Sequence, residues 1–325
     1  MPKETRKKSS EARSKGESRA AAAEGATPAE NARAFLKFVA VLGFVGLFAW
    51  GYLRMRDHVA KDVAFRKDAP RVVLKNRPAW MSDGVAAKIV AVAQPDVAHS
   101  AFDHGLLVNI ASLLRNHRDT APWVRQVNAV RRAYDKAPGD TIEVDCEFRA
   151  PSALVRFGDY YWLVDGDGTL LPEQYAPGEV RRVMYDDAAR LNLRVIEGVA
   201  AAPPEAGQRW RGDDLLAGIE MVKLLNGRAS ADEVERVNVA NFMGRVDRRE
   251  AQVVLVTRYN TQVRWGRPVG AKDFFVEVSP AQKLKYMEEL VAKFGRVDAK
   301  LPAVDLRFDV VTFPSNTATV DTGGE

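Results

Sequence analysis

A long uncharged stretch near the N-terminus constrains this chain more than any other feature. Residues Phe38 to Leu53 read FVAVLGFVGLFAWGYL and include no charged side chain. Extended back to Ala34, the stretch is long enough, at about 1.5 Å per helical residue, to cross the roughly 30 Å hydrocarbon core of a bilayer. Residues 34–53 are therefore predicted to form one transmembrane helix in contact with lipid.

The ends of this stretch also favour a spanning helix. Lys37 can lift its ammonium group to the headgroups, and the rings of Trp50 and Tyr52 favour the membrane interface. A helix buried in a soluble core would need apolar surroundings on every side. A cleaved signal peptide would have a shorter leader and small residues after the apolar run, where Arg54 and Arg56 stand here. An uncleaved anchor fits better, and basic residues on both sides leave its orientation open.

The flanking segments lack the residues that build a core. Residues 1–33 are rich in Lys, Arg, Glu, Ser and Ala and are predicted to be a disordered tail. Residues 54–69 are predicted to be a charged juxtamembrane linker, and residues 315–325 a disordered C-terminal tail. Most of the net charge of +5 lies in the leader and Lys37, so the long segment after the anchor is nearly neutral. That balance argues against a nucleic-acid partner.

The first part of the chain after the anchor has a mixed pattern. From Arg71 to Phe148 the residues indicate the order strand, helix, helix, strand, strand. Ser82 can cap the first helix, and the alternation from Thr141 to Phe148 is typical of a half-buried strand. The single cysteine, Cys146, falls on the apolar side of that strand, so we expect it to be buried and unreactive.

Beyond residue 150 the pattern becomes rich in short strands. The elements predicted there are hairpin strands at Ala153–Phe157 and Tyr160–Val164, a helix at Asp213–Leu225, a short helix with a capping box at Ser230–Glu233, hairpin strands at Gln252–Arg258 and Gln262–Trp265, a helix capped at Ser279, and a final strand at Val304–Phe313. The predicted fold class is α+β, with helices packed on an antiparallel sheet.

The residue patterns do not indicate an enzyme. The most site-like cluster is Asp165-Gly-Asp167-Gly168, but a helix-loop-helix calcium site would need a further oxygen ligand before the glycine and a later glutamate. A hairpin turn explains the same residues. The four histidines lack zinc spacing, and the sequence has no phosphate loop, dinucleotide fingerprint, nucleophile elbow or H-E-x-x-H motif. We therefore expect no catalytic residue, cofactor, metal or small-molecule substrate.

An ordered series of short motifs resembles the FtsQ/DivIB family of bacterial cell-division proteins. The matching segments are Pro122 to Arg131, Thr141 to Asp145, Arg149 to Ala153, Tyr161 to Asp165 with Gly168, Val263 to Gly266, Lys283-Leu284, and Val304 to Asp309. No single motif is specific, whereas their order is. The segment from Tyr175 to Trp210 matches the family poorly.

The resemblance implies a sequence of domains. These are a disordered cytoplasmic tail at 1–33, the membrane helix at 34–53, a linker at 54–69, a POTRA domain at 70–150 with the order strand-helix-helix-strand-strand, a strand-rich β domain at 151–314, and a disordered tail at 315–325. The protein would lie in the bacterial cytoplasmic (inner) membrane at the division site, with its N-terminus in the cytoplasm and its bulk outside.

The resemblance also implies a function and a binding surface. The protein would be a non-enzymatic scaffold for FtsB/FtsL-like single-pass proteins and other division components. The FtsB-like partner would add a strand beside Val304–Phe313, where Arg307 and Phe308 match the family's R-Y pair. An unpaired edge strand can bind an extended segment in this way. If the backbone N–H of Val310 faces outward, Val310→Pro would break a ladder hydrogen bond and weaken partner capture while the fold stays intact.

Two alternatives from other classes remain. A POTRA-containing assembly factor for outer-membrane or secretion systems would usually repeat the module or attach it to a barrel, and the sequence shows one copy and no barrel pattern. A membrane-anchored enzyme with an unfamiliar site would show a deep pocket with converging titratable groups.

Overall fold

The structure, a computed structural model, describes residues 28–64, 69–97, 103–133, 140–185, 192–271 and 277–314. Of the tails predicted at 1–33 and 315–325, residues 1–27 and 315–325 lie outside the described residues.

The apolar stretch lies in one long helix. Helix α1 spans Pro28–Ala64, so it begins before the predicted span of 34–53 and ends after it. Within it, Phe35–His58 is long and apolar enough to cross a membrane, and none of this stretch is buried. Residues 28–33 and 54–64, predicted as parts of a disordered tail and a linker, are helical. No Pro or Gly after residue 53 interrupts the helix before Ala64.

A small layer of strand, helix, helix, strand and strand follows, in the predicted order. Its elements are β1 (Arg71–Leu74), α2 (Asp83–Ala93), α3 (His104–Asn116), β2 (Val124–Ala133) and β3 (Thr141–Phe148). The three-stranded sheet has the order β1-β3-β2, with β1 parallel and β2 antiparallel to β3. Ser82 Oγ accepts a hydrogen bond from the N–H of Val85, which confirms the predicted helix cap.

An eight-stranded sheet with its helices forms the rest of the described chain. The elements are β4 (Pro151–Phe157), β5 (Tyr160–Asp165), β6 (Leu170–Tyr175), α4 (Pro177–Met184), β7 (Arg194–Glu197), α5 (Asp213–Leu225), β8 (Val234–Asn238), β9 (Val253–Thr257), β10 (Gln262–Gly266), α6 (Pro280–Phe294) and β11 (Ala303–Asp305). The strand order is β11-β10-β9-β8-β7-β4-β5-β6.

The α+β class is confirmed, but the prediction of an antiparallel sheet is wrong. Three neighbouring pairs are parallel: β4 with β7, β7 with β8, and β10 with β11. A helix that connects two neighbouring strands returns the chain to the end where the first strand began, which makes the two strands parallel. Helix α5 does this between β7 and β8, and α6 does it between β10 and β11.

The local predictions fail mainly between residues 175 and 240. Elements α4, β7 and β8 lie there and were not predicted. The short helix predicted from the capping box at Ser230 is instead a 3-10 turn at Ala229–Ala231, which β8 follows closely. The carboxylate of Glu233, expected to complete the cap, accepts a hydrogen bond from the N–H of Val297. A contact from a distant part of the chain thus overrides the local signal.

The eight-stranded sheet has a hydrophobic core on each face. On one face, Val155 and Ile196 pack with the apolar sides of α5 and α6. On the other face, Leu154, Leu163 and Val195 pack with α4 and with the layer built from β1, α2, α3, β2 and β3. Side chains alternate across a strand, so neighbours in sequence enter different cores. Residues from both predicted parts, 70–150 and 151–314, therefore contribute to the second of these cores.

Candidate interaction surface

The last strand, β11, lies at one edge of the eight-stranded sheet and pairs in parallel with β10. The prediction of a strand over Val304–Phe313 is wrong in length, because residues 306–311 form a turn after Asp305. We call residues 306–311 the terminal turn. The chain then returns, and Thr312 forms an isolated antiparallel bridge with Asp305. The chain itself covers this part of the edge.

The hydrogen bonds of the bridge show which backbone groups face outward. The N–H of Asp305 donates to the carbonyl oxygen of Thr312 at 2.8 Å, and the N–H of Thr312 donates to the carbonyl oxygen of Asp305 at 3.2 Å. When two antiparallel residues exchange both bonds, the backbone groups of their sequence neighbours point to the opposite side. The N–H and C=O groups of Val311 and Phe313 therefore point away from β11.

The side chain of Arg307 lies on the inner side of the terminal turn. Its guanidinium donates to the Asp305 carboxylate at 2.7 to 3.0 Å, and both side chains are largely buried. Its Nη1 also donates to the carbonyl oxygen of Arg249 at 2.8 Å. The hydrogen bonds to Asp305, opposed in part by burial, raise the pKa of Arg307 above its ordinary value. The cation thus fixes the terminal turn against the loop between β8 and β9.

Phe308 and Val310 are on the exposed side of the terminal turn. Their side chains are 41% and 70% exposed, and the Arg307 guanidinium lies 5.1 Å from the centroid of the Phe308 ring. Val310 lies in the turn and outside the ladder, so Val310→Pro would not remove a ladder hydrogen bond. The structure brings the three predicted residues, Arg307, Phe308 and Val310, together in one turn. Tyr286 of α6 supports the turn, since its hydroxyl donates to the carbonyl oxygen of Asp309 at 2.7 Å.

Sequence reasoning missed the loop between β8 and β9, which Arg307 contacts. This loop exposes Met243 and Val246 by 74% and 76%. The Asn241 amide holds it by donating to three loop carbonyls, and its side-chain oxygen accepts the N–H of Val246. Met243 has φ of 58°, which is uncommon for a residue other than glycine. No periodic pattern marks such a loop in a sequence, so no signal could have identified it.

The Asp165 cluster is a hairpin turn between β5 and β6, as the turn interpretation predicts. Oδ1 of Asp165 accepts the N–H groups of Asp167 and Thr169 at 2.9 and 2.7 Å. Oδ2 accepts from Arg149 at 3.0 Å, and Asp167 pairs with Arg125 at 2.8 Å. Within the described ranges of the chain, no group of three or more His, Cys, Asp or Glu side chains could hold a metal ion.

Cys146 lies in the interior of the β1–β3 layer, which confirms the predicted burial. Burial, together with the nearby carboxylate of Asp145, raises the pKa of the thiol to about 11. Little thiolate forms at neutral pH, and thiolate is the nucleophilic form. The structure therefore gives Cys146 the environment of a small apolar core residue.

These features define the class of the protein. It is a mixed α+β chain with a strand-rich sheet and one N-terminal helix that is long and apolar enough to cross a membrane. Neither a protein-family model nor a curated protein matches the chain. The resemblance to the FtsQ/DivIB family therefore depends on the motifs and their order, and it stays a prediction.

Proposed function

We propose that the protein is a non-enzymatic scaffold of the bacterial division machinery, anchored in the cytoplasmic membrane by α1. The observation that carries the proposal is the edge beyond β11. There, exposed apolar side chains of the terminal turn lie next to the outward backbone groups of Val311 and Phe313. Such an edge is suited to bind an extended segment of another protein.

The anchor is supported by the exposure of α1. Its large apolar side chains, such as Phe44 and Phe48, are exposed, and a bilayer would remove them from water. In the proposal, the N-terminus lies in the cytoplasm and the chain after α1 lies outside, because the family resemblance supplies this direction. The layer from β1 to β3 has the element order of a POTRA domain, and with α1 it would place the protein at the division site.

The proposed partner is a single-pass protein of the FtsB/FtsL kind that adds a strand beside residues 311–313. Backbone hydrogen bonds to Val311 and Phe313 would supply much of the affinity, and contacts with Phe308 and Val310 would supply specificity. Hydrogen bonds from Arg307, Tyr286 and their neighbours already order the turn, so binding loses less conformational entropy there.

Crosslinking in growing cells tests this proposal. A photoreactive residue at Val310 of the full chain should capture a small single-pass membrane protein, whereas the same probe at Val108, an exposed position on α3, should not capture it. Replacement Phe313→Pro removes an outward N–H and with it one hydrogen bond to the partner. Because one such bond is worth about tenfold in affinity, we expect about tenfold lower capture by the probe at Val310. Replacement Phe313→Leu keeps the N–H and should retain most of the capture.

Failure of residues 308–313 to crosslink any partner would contradict strand addition. Depletion of the protein separates the classes of function. Filamentous cells would support division, whereas loss of outer-membrane proteins with normal septation would support the assembly-factor alternative instead.

A further inference from the structure

A buried ion pair lies behind the terminal turn, between β10 and α6. Lys283 and Glu277 have side chains that are only 3% and 11% exposed. Nζ of Lys283 donates to Oε2 of Glu277 at 2.7 Å and to the carbonyl oxygen of Trp265 at 2.7 Å. The same ammonium lies 5.3 Å from the centroid of the Trp265 ring. An anion, a carbonyl and an aromatic face thus surround the buried cation.

Glu277 also binds the backbone that follows β10. Its Oε2 accepts the N–H of Arg267 at 2.9 Å. Gly266, the preceding residue, has φ of +97°, and a side chain there would overlap the Glu277 carboxylate. Both the backbone conformation and the lack of space require glycine at this position. We call Gly266, Glu277 and Lys283 the Lys283 clamp, since the Glu277 carboxylate pairs with Lys283 and occupies the space beside Gly266 that a side chain would need.

The Lys283 clamp connects directly to the terminal turn. Val278, the residue after Glu277, donates its N–H to the carbonyl oxygen of Arg307 at 2.9 Å. On the β10 side, the N–H of Leu306 donates to the carbonyl oxygen of Arg264 at 3.1 Å. The first residues of the turn are therefore bonded to the two segments that the clamp joins.

The energetics of the clamp favour a role in conformation over a role in overall stability. Burial lowers the pKa of Lys283, although the hydrogen bond and charge of Glu277 oppose this effect. Removing two charges from water is costly, and well-packed apolar side chains often stabilise a core as much as a buried ion pair does. A directional ion pair, however, fixes one arrangement of the backbone groups that it binds.

We infer that Gly266, Glu277 and Lys283 are positioning residues that hold the terminal turn in the conformation that its partner binds. The inference depends on the proposed function for its biological meaning. The clamp itself makes no contact with the partner and acts through the Val278–Arg307 hydrogen bond. The turn therefore meets its partner already ordered, and loss of the clamp should disorder the turn before it affects distant strands.

Hydrogen exchange of the full chain in lipid nanodiscs tests the positioning role. Replacement Lys283→Met keeps the aliphatic stem and removes the ammonium. The double variant Lys283→Met with Glu277→Gln also removes the buried anion that the single variant leaves unpaired. The double variant therefore provides the test if the single variant does not fold. We expect amides of residues 305–312 to exchange at least about tenfold faster in both variants, while β3 amides keep their parental rates.

The matched control is Lys285→Met on the same helix. Lys285 is 65% exposed and, among the described residues, forms its ion pair with exposed Glu289, so its variant should exchange like the parent. Unchanged exchange at 305–312 in the double variant would overturn the inference, as would an equal increase in every strand of that variant.

Crosslinking from Val310 in cells separates this inference from the proposed function. We expect about tenfold lower capture by the double variant at equal protein abundance. If the parent chain captures no partner, the proposed function is wrong, and the exchange rates alone decide the positioning role. If the parent and the double variant capture the partner equally, the positioning role is wrong and the proposed function stands.

Discussion

A single carboxylate, that of Asp165, orders the turn between β5 and β6. It accepts two backbone N–H groups and pairs with Arg149, which is itself mostly buried. Replacement Asp165→Ala should therefore lower the free energy of unfolding by about 3 kcal/mol, because two donors and a cation lose their partner. Urea unfolding of the full chain in detergent, followed by tryptophan fluorescence, measures this change.

The control for this residue lies in the preceding turn. Asp159 is exposed between β4 and β5, so Asp159→Ala should change the free energy of unfolding by less than about 0.5 kcal/mol. Added calcium should leave the urea midpoint of the parent unchanged. A calcium-dependent increase in the midpoint would show that the cluster is a cation site and that the turn interpretation is wrong.

Residue-scale predictions from the sequence succeed where the contact is local. Ser82 and Ser279 each accept a backbone N–H from three residues ahead, and such a bond can be recognised from neighbouring residues alone. The pairing of Lys283 with Trp265 and the bridge from Thr312 to Asp305 depend on distant or returning parts of the chain. No local pattern encodes those contacts, so the candidate surface could be located from the sequence but its shape could not.

At the scale of elements, the short strand β1 shows how an edge can be closed by a side chain. Oε1 of Gln94 accepts the N–H of Val72 at 3.1 Å, and its Nε2 donates to the carbonyl oxygen of Pro70 at 2.7 Å. Gln94→Ala should therefore free the outer edge of β1, and we expect the Val72 amide to exchange about tenfold faster, the equivalent of one lost hydrogen bond. Hydrogen exchange at single-residue resolution measures this rate.

The comparison for β1 is an exposed glutamine on β2. Gln126→Ala should leave the exchange of Val72 unchanged, because Gln126 lies on the far edge strand of the same three-stranded sheet. Equal rates for Val72 in the parent and in Gln94→Ala would mean that β1 is protected by its pairing with β3 alone.

Helices and strands could be predicted where the sequence has both a periodic apolar pattern and a nearby residue that ends the element. Helix α6 has an apolar face and ends at Gly295, whose φ is 74°, and the β9–β10 hairpin turns at Asn260, whose φ is 62°. Strands β7 and β8 are short, and each pairs in parallel with a strand that is distant in sequence. Their partners are fixed only when α5 packs on the sheet, so neither they nor the mixed sheet could be derived from local patterns.

At the scale of the whole molecule, the shared core beside the eight-stranded sheet should make unfolding from β1 to β11 cooperative. Leu163 of β5 is buried in the same cluster as Trp123 and Ile89 of the first layer. Leu163→Ala removes this contact and should lower the free energy of unfolding by about 3 kcal/mol. Amides that exchange through global unfolding should then exchange roughly a hundredfold faster. Because the core is common, β3 and β9 amides should exchange faster together in low urea, whereas Val108→Ala, at an exposed position of α3, should change neither rate. If β3 amides keep their parental exchange rates while β9 amides exchange faster, residues 70–150 and 151–314 unfold as the two independent domains that the sequence predicts.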